Sequence, residues 1–302
     1  MDKAKEAPFF SVITPSWNQG TFLSSCVESV LAQADPSFEH FVFDNCSDDA
    51  TPAVAARYSH LRYFSEQDRG QSHAVNKGLD AARGEIICWL NADDAYPPGL
   101  FSRLREIFSD AACDIVFGDT EQIAYDGTKP RRAGACFRDR LDLVKWWTSE
   151  VRMHQPAVFF RRRVASETGF LREDLHYAMD YEYWWRASET FTFHYVPEVF
   201  AIQHRQPDSK TMRGWHKVYE ERENIFAPFY PLVDGDDRRA LLRDKQRELA
   251  RRYLTNAFVA APLDLTAALQ NLARAWGQAP AEVLKLRNLG LLRRILKRPL
   301  AP

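Results

Sequence analysis

Residues 85–94 read EIICWLNADD, an apolar run that ends in two adjacent acids. The run Glu85–Leu90 has the length and apolar character of a buried strand. Asp93 and Asp94 follow soon after its carboxyl end. Ligands of open α/β sheets bind at that end of the strands, so this stretch predicts a buried sheet with a ligand site at its edge.

The chain before this strand alternates between short β-rich runs and helical patterns. The predicted order is strand Pro8–Ile13, helix Thr21–Ala34, strand Glu39–Asp44, helix Thr51–Tyr58, strand Leu61–Ser65 and helix Gln71–Arg83. Such alternation predicts βαβ units with right-handed crossovers. The predicted fold class is therefore α/β, with a mainly parallel, Rossmann-like central sheet flanked by helices.

After residue 94 the pattern becomes mixed, with a predicted helix Pro98–Phe108 and a strand Asp114–Gly118. Residues 216–302 are almost wholly helical in pattern, with prolines interrupting them. We therefore predict one α/β domain over residues 1–215 and a helical C-terminal extension over residues 216–302.

The composition is that of a globular protein, with 302 residues, 45% hydrophobic residues and a net charge of −1. This charge argues against nucleic acid as a partner. The five cysteines form no CxxC pair, which indicates buried thiols in a reducing compartment and not a disulfide framework. We find no signal-peptide core and no run that could span a bilayer. We expect a cytoplasmic chain, and peripheral contact with the inner face of the membrane remains open.

Polar residues crowd the ends of the first three predicted strands. The loop TPSWNQG, at residues 14–20, precedes a helix; such a position suits a diphosphate or nucleotide, although a plain βα turn is the alternative. Asp44 can accept hydrogen bonds from a base or ribose. Asp68 can cap a helix, Gly70 can supply a left-handed turn, and Lys77 can be solvated.

The two acids after residue 90 suggest a metal site. Uncompensated carboxylates at a buried strand end are costly unless they meet a cation or hydrogen-bond donors. A divalent ion that bridges a carboxylate to a diphosphate meets that need. The alternative is a helix cap, since Pro97 and Pro98 can open a helix.

A second acidic segment lies at residues 177–186, where aromatic residues surround Asp180 and Glu182. A carboxylate held against aromatic rings tends to have a raised pKa, which suits a general base. Asp180 fits that role, with a helix start as the alternative, whereas Glu182 fits a structural ion pair with Arg186. Trp146 and Trp147 fit either a sugar platform or the core.

Taken in order, these motifs resemble the family-2 glycosyltransferases with a GT-A fold. The resemblance covers residues 8–215. It rests on TPSWNQ at 14–19, Asp44, DRG at 68–70, NKG at 76–78, LNADD at 90–94, HQP at 154–156, FFRR at 159–162 and MDYEYWWR at 179–186.

The resemblance implies roles for individual residues. Asp180 matches the general base, and Asp93 matches the last acid of the metal-binding DxD motif, which would hold Mn²⁺ or Mg²⁺. The residues predicted to bind the nucleotide-sugar donor are Thr14, Pro15, Ser16, Asn18, Asp44, Asp68, Gly70, Asn76, Lys77, Asn91, Ala92 and Asp93. The residues predicted to contact the acceptor or the diphosphate are Trp146, Trp147, His154, Glu182, His204 and Lys210.

The chain departs from the family pattern at two places. The first DxD acid is Asn91 here, so metal coordination leans on Asp93, with Asp94 as a further ligand. The Arg-x-His element that precedes a Ser/Gln-Lys-Thr sequence is replaced by residues 204–211, HRQPDSKT.

Residues 281–302 carry an excess of five positive charges among regularly spaced leucines. This pattern fits a basic amphipathic helix at an anionic membrane surface, or a helix packed on protein. We predict a metal-dependent inverting glycosyltransferase of bacterial surface polysaccharide synthesis. It would move a sugar from a UDP-, dTDP- or GDP-type donor to a glycan or lipid-linked acceptor. The alternatives are a non-catalytic sugar-nucleotide- or glycan-binding module and a sugar nucleotidyltransferase.

Overall fold

The computed structural model of the protein describes residues 7–124, 129–147, 153–205, 210, 215–232, 235–260, 264–285 and 288. The chain divides into two compact units. The first contains residues 1–143 and 152–226, and the second contains residues 144–151 and 227–302.

The first unit is an α/β structure, as predicted. Its strands are β1 (Phe10–Ser16), β2 (Phe38–Asp44), β3 (Leu61–Ser65), β4 (Ile86–Trp89), β5 (Asp94–Ala95), β6 (Ile115–Ala124), β7 (Arg131–Ala133), β8 (Val158–Arg161) and β9 (Phe193–Arg205). Its helices are α1 (Leu23–Leu31), α2 (Thr51–Ala55), α3 (Gln71–Ala81), α4 (Leu100–Ile107), α5 (Arg140–Val144, which ends at the unit boundary), α6 (Arg162–Thr168), α7 (Met179–Ala187) and α8 (Trp215–Phe226).

The strands form one sheet in the order β3-β2-β1-β4-β8-β6-β9-β5, with β7 beside β6. The first four strands in this order pair in parallel, as the βαβ alternation predicts. Beyond β4 the sheet is mixed, because β8 runs antiparallel to both β4 and β6 while β9 runs parallel to β6. The parallel half of the sheet is therefore the part whose carboxyl ends share one edge.

The core of the parallel half explains why these segments are strands and helices. Phe10, Val12, Ile86 and Cys88 are completely buried between the layers. Helix α3 packs against β1 so closely that a Cβ added at Gly78 would lie 2.2 Å from Cγ2 of Ile13. The glycine of the NKG sequence is thus a packing requirement, since no larger residue fits there without displacement.

The second unit is helical, with α9 (Gly235–Ala260), α10 (Leu265–Gln278) and α11 (Pro280–Val283). Its small core contains Leu254, Ala257, Ala268, Ala275 and Val283. The Asp264 carboxylate caps α10 by accepting a hydrogen bond from the Ala267 N–H at 3.0 Å.

Among the described residues, no helix is long and apolar enough to cross a membrane. Most of the predicted basic tail lies outside the described residues, including Arg287, Arg293, Arg294, Lys297 and Arg298. Its amphipathic character therefore stays a prediction from sequence.

Candidate functional site

The carboxyl ends of the parallel strands meet at one edge of the sheet. Ser16 pairs in register with Asp44, and Asp44 pairs with Ser65. Because β4 lies on the other side of β1, residues 90–94 continue from the same edge. The polar clusters predicted from three separate segments are thus neighbours.

Thr14, Pro15 and Ser16 lie in β1, so the prediction of a loop from residue 14 is wrong. The physical reason is that the parallel pairing with β2 continues to the last residue of both strands. The Thr14 hydroxyl is buried and lies 2.9 Å from Nε2 of His40. It therefore makes a hydrogen bond within the sheet. The Ser16 hydroxyl is also buried, and it finds no partner within the described residues.

The loop after β1 is tied to the loop after β2. The Asn18 N–H donates to the Ser47 hydroxyl at 2.7 Å, and Oδ1 of Asn18 accepts from the Asp48 N–H at 3.1 Å. Trp17 is 63% exposed beside these contacts. Trp17 is not among the predicted site residues, although an aromatic ring within a polar loop is a signal for one.

Asp44 is buried at the end of β2 and is already bound by protein donors. It accepts hydrogen bonds from the Ser47 N–H at 2.9 Å, the Ser47 hydroxyl at 2.5 Å and the Tyr63 hydroxyl at 2.9 Å. Burial, with the Asp44 contact, raises the pKa of Tyr63 to about 12, which keeps that hydroxyl a donor. A bound base or ribose would have to share oxygens that these donors already use.

Asp68 shapes the start of α3. Its Oδ1 accepts from the Gly70 N–H at 2.7 Å, and its own N–H donates to Oδ1 of Asn45 at 2.8 Å. Gly70 has a φ of 118°, which favours glycine. Burial raises the pKa of Asp68, while the Lys77 and His73 charges oppose that change.

Asn76 and Lys77 make contacts within the protein. The Asn76 side chain donates to the Leu171 carbonyl at 2.9 Å and accepts from the Leu171 N–H at 2.8 Å. Lys77 pairs with Glu66 at 2.9 Å. Asn76 therefore fixes a distant loop against α3, a role that the donor-binding prediction did not include.

Asn91 lies at the centre of a hydrogen-bond network. Its Oδ1 accepts from Nε2 of Gln71 at 2.9 Å and from the Trp89 indole at 3.1 Å. Its Nδ2 donates to Oε1 of Gln155 at 2.9 Å and to Oδ2 of Asp94 at 3.4 Å. The amide uses both its oxygen and its nitrogen, and Gln71 and Gln155 are not among the residues predicted for the site.

Asp93 and Asp94 form a pair of poorly solvated carboxylates. Burial raises the pKa of Asp93, and the nearby His204 opposes this. Burial and the Asp93 charge raise the pKa of Asp94 well above its ordinary value. Nδ1 of His204 lies 2.9 Å from the Asp93 carbonyl oxygen, so β9 brings a possible nitrogen ligand to the pair. Ala92, which precedes them, is buried in the core.

The donor set fits a divalent ion that a substrate helps to bind. Among the described residues no group of three or more His, Cys, Asp or Glu side chains could hold a metal alone. Mg²⁺ in phosphate-transfer sites usually takes one or two carboxylates and completes its shell with phosphates and water. Two adjacent carboxylates that are costly to ionise without a cation match that requirement.

Asp180 is the second residue of α7 and lies near two cations, Arg222 and Lys210. Burial raises its pKa, while the charges of Arg222 and Lys210 oppose that effect. Arg222 stacks on the Tyr181 ring at 3.7 Å from its centroid. The raised pKa follows the prediction from sequence, whereas Arg222 was not predicted because it comes from α8.

A chain of contacts connects the two acidic sites. Nζ of Lys210 lies 3.5 Å from Oε1 of Gln71, and Nε2 of Gln71 binds Asn91. Lys210 also interacts electrostatically with Asp180. The start of α3 therefore lies between the carboxylates after β4 and the acid of α7.

Other predicted contacts have structural roles. Glu182 pairs with Arg186 at 2.9 Å, the ion pair that we considered as its alternative. Trp146 and Trp147 belong to the second unit and are buried, so neither offers a ring face to a sugar. His154 is only partly buried, and its neighbour Gln155 is the residue that binds Asn91.

A sequence model described as glycosyl transferase family 2 matches residues 11–169. The chain is 32% identical over 127 residues to TuaG of Bacillus subtilis, a putative teichuronic acid biosynthesis glycosyltransferase. That alignment covers 40% of this chain and 50% of TuaG.

Two solved structures share the fold. Residues 1–349 of S. aureus TarS in complex with UDP superpose with a TM-score of 0.58 at 17% identity, covering 95% of this chain and 87% of that one. The mannosyltransferase PcManGT from Pyrobaculum calidifontis, in complex with GDP-Man and Mn²⁺, gives a TM-score of 0.56 at 18% identity, covering 95% and 79%.

Proposed function

Because the chain belongs to glycosyl transferase family 2 and is a glycosyltransferase with a GT-A fold, we propose that it uses a nucleotide-sugar donor and a divalent cation. The acceptor is a hydroxyl group, and the sugar is transferred with inversion at its anomeric carbon. Asp93 is the proposed metal ligand, and Asp180 is the proposed general base.

The observation that carries this proposal is the connection of two acidic sites across one sheet edge. Asp93 and Asp94 follow β4, Asn91 binds Gln71, and Gln71 lies beside the Lys210 cation that faces Asp180. One site suits a diphosphate with its cation, and the other suits the removal of a proton from a hydroxyl.

Asp93 and His204 are the residues that would hold Mn²⁺ or Mg²⁺. The contact of His204 through Nδ1 leaves Nε2 as its nitrogen for a metal. When bound, the cation supplies positive charge that neutralises the leaving nucleoside diphosphate. That PcManGT was solved with Mn²⁺ supports a divalent ion in this family fold.

The proton transfer is assigned to Asp180. Its carboxylate takes the proton of the acceptor hydroxyl as the oxygen attacks the anomeric carbon and the bond to the diphosphate breaks. Attack from the face opposite the leaving group inverts that carbon. Burial raises the pKa of Asp180, which makes it a stronger base than an exposed carboxylate, and the charges of Arg222 and Lys210 oppose that rise.

The nucleoside is proposed to bind at the ends of β1 and β2. Trp17 exposes a ring there, and the face of a Trp side chain suits stacking with a planar base. The buried Ser16 hydroxyl offers an oxygen, and Asp44 and Asp68 offer carboxylates. TarS was solved with UDP and PcManGT with GDP-Man, which supports a donor of either nucleotide type.

The name of the relative TuaG supports a place in surface polysaccharide synthesis, with a glycan or a lipid-linked glycan as acceptor. A lipid-linked acceptor would make attachment to the inner face of the membrane useful. The basic residues of 281–302 are our proposed contact, with the rest of the protein in the cytoplasm.

The non-catalytic alternative is less well supported. A module that only binds sugar nucleotides needs no base, yet Asp180 has a pKa raised by burial and lies near two cations. A nucleotidyltransferase is expected to carry a basic, glycine-rich first loop, whereas TPSWNQG at residues 14–20 has no lysine or arginine.

A donor screen tests the proposal. Thermal unfolding is followed with UDP-, dTDP- and GDP-sugars, with and without Mn²⁺. A nucleotide at 100 times its Kd stabilises by about 2.7 kcal/mol, or roughly 5–10 °C for a domain of this size. We expect one nucleotide type to give a shift that requires Mn²⁺ and that disappears in Asp93→Asn.

Asp80→Asn is the matched control, because Asp80 is exposed on α3. It should keep the full metal-dependent shift. A shift of equal size in Asp93→Asn would contradict the metal assignment, and the absence of any shift with all donors would favour a different ligand class.

A further inference from the structure

Glu221 of α8 binds the backbone immediately before α7. One carboxylate oxygen accepts from the His176 N–H at 2.9 Å. The other accepts from the N–H groups of Tyr177 and Ala178 at 2.7 and 2.9 Å. A single side chain therefore satisfies three successive amides, although it lies more than 40 residues further along the chain.

These amides need an acceptor from elsewhere. Ala178 is the N-cap of α7, and it has no side chain that could cap the helix. The first N–H groups of a helix have no partners within it, and a negative charge at that end is favourable. Glu221 supplies both the oxygens and the charge that the local sequence lacks.

The segment that Glu221 holds leads directly to Asp180. Only Met179 separates Ala178 from this acid. The carboxylate of Asp180 accepts from the N–H of its neighbour Tyr181 at 2.8 Å, so its position follows the first turn of α7. A shift of the backbone at residues 176–178 would therefore move Asp180.

Glu221 also faces the cation beside Asp180. Lys210 interacts electrostatically with both Glu221 and Asp180, and its Nζ lies 5.3 Å from the centroid of the Tyr177 ring. A cavity of about 420 Å³ borders this group and is lined by His176, Tyr177, Lys210 and Glu221 among others. Because His176 and Tyr177 border open space on the cavity side, the position of this segment depends on the hydrogen bonds to Glu221.

We propose that Glu221 is a positioning residue for sugar transfer: by binding the amides of residues 176–178 it holds Asp180 where the acceptor hydroxyl is deprotonated. This inference rests on the proposed function, since it needs Asp180 as the base. Glu221 acts through Asp180 and the backbone, and it takes no part in donor binding.

The test is a double-mutant cycle of Glu221→Gln and Asp180→Asn, with Glu220→Gln as the matched control. Glu221→Gln keeps the size of the side chain but leaves one acceptor oxygen for three amides. Glu220 is the control because it lines the same cavity, whereas the amides of residues 176–178 all donate to Glu221. The reaction is nucleotide release from UDP-N-acetylglucosamine or GDP-mannose with Mn²⁺, using water and a simple glycoside as acceptors.

We expect Glu221→Gln to lower kcat on the order of 10- to 100-fold, because a small misplacement of a catalytic group has effects of that size. Nucleotide affinity, measured by calorimetry, should stay within about twofold, since Asp93 is untouched. In the Asp180→Asn background the same change should cause no further loss. Amide exchange at residues 176–178 should become faster, and Glu220→Gln should resemble wild type.

Equal losses in both backgrounds, or a loss of nucleotide affinity parallel to kcat, would show a general structural effect and overturn the inference. Full activity of Asp180→Asn alone would instead refute the proposed base. If Glu221→Gln does not fold, Glu221→Asp keeps the charge but retracts the oxygens, and it should show the same dependence on Asp180.

Discussion

Acidification should destabilise this protein through His40. The imidazole belongs to β2, beside β1, and is completely buried, with Nε2 2.9 Å from the Thr14 hydroxyl. Its Nδ1 finds no partner within the described residues. Burial, with a smaller contribution from the His60 charge, lowers the pKa of His40 from 6.5 to about 3. The folded protein therefore keeps this ring neutral across the mildly acidic range.

The sign and size of this destabilisation follow from the number of protons that the folded and unfolded states bind. Below pH 6.5 the unfolded chain binds a proton at His40 while the folded chain does not until about pH 3. The free energy of unfolding should therefore fall by about 1.4 kcal/mol for each pH unit well below 6.5, or about 2 kcal/mol in total at pH 5. Above pH 7 this contribution vanishes.

Urea unfolding of wild type and His40→Gln between pH 4.5 and 8 measures the effect. Below pH 6.5 the free energy of unfolding should fall more steeply with decreasing pH for wild type than for His40→Gln. The difference between the two slopes should correspond to one bound proton. His194→Gln is the control, because His194 is exposed and its loss should leave the slope unchanged. Parallel curves for wild type and His40→Gln below pH 6.5 would refute the argument from burial.

Three further predictions concern the site and its support. Asp180→Asn should lower kcat by about 10²–10⁴ while nucleotide affinity stays unchanged, as steady-state kinetics and calorimetry would show; an equal loss of affinity would contradict its role as a base. Asn91→Asp should lower the Tm in EDTA more than Asn91→Leu does, because it replaces a hydrogen-bond donor with a third carboxylate near Asp94. Mn²⁺ with nucleotide should recover part of the lost Tm. Equal Tm values for the two variants would show that the added charge is not the cause. Gly78→Ala should lower the free energy of unfolding in urea by about 2 kcal/mol, since its Cβ would lie 2.2 Å from Ile13. Gly277→Ala should raise it slightly, because a Cβ there would have no atom within 4 Å.

The α/β class and the order of its first elements were predictable because each depends on local periodicity. The apolar run before Asn91 and the alternation of strands and helices before it predicted the parallel half of the sheet, which is confirmed. The end of β1 was not predictable, because Thr14, Pro15 and Ser16 are strand residues only through pairing with β2. The mixed half of the sheet also depends on pairings between segments far apart in sequence.

For the predicted site residues, too, local sequence indicates a polar side chain of interest, but only the fold supplies its partners. Asp93, Asp94 and Asp180 are predicted as site residues because a charged side chain after a buried strand, or among aromatic residues, is costly unless a partner or ligand compensates it, and these three assignments stay predictions. Asn76 and Glu182 carry similar polar groups, yet their partners Leu171 and Arg186 give them structural roles. Only the partners distinguish the two cases, and the partners come from the fold.

Asn91 shows why the departure from the family pattern could not be interpreted from sequence. Read alone, an asparagine in place of the first DxD acid is the loss of a metal ligand. In the structure its oxygen accepts from Gln71 and Trp89 while its nitrogen donates to Gln155 and Asp94. A carboxylate could replace only the first half of that arrangement. The amide therefore orders the contacts between the strand end and α3, and it donates to Asp94 without adding another negative charge beside the proposed metal site.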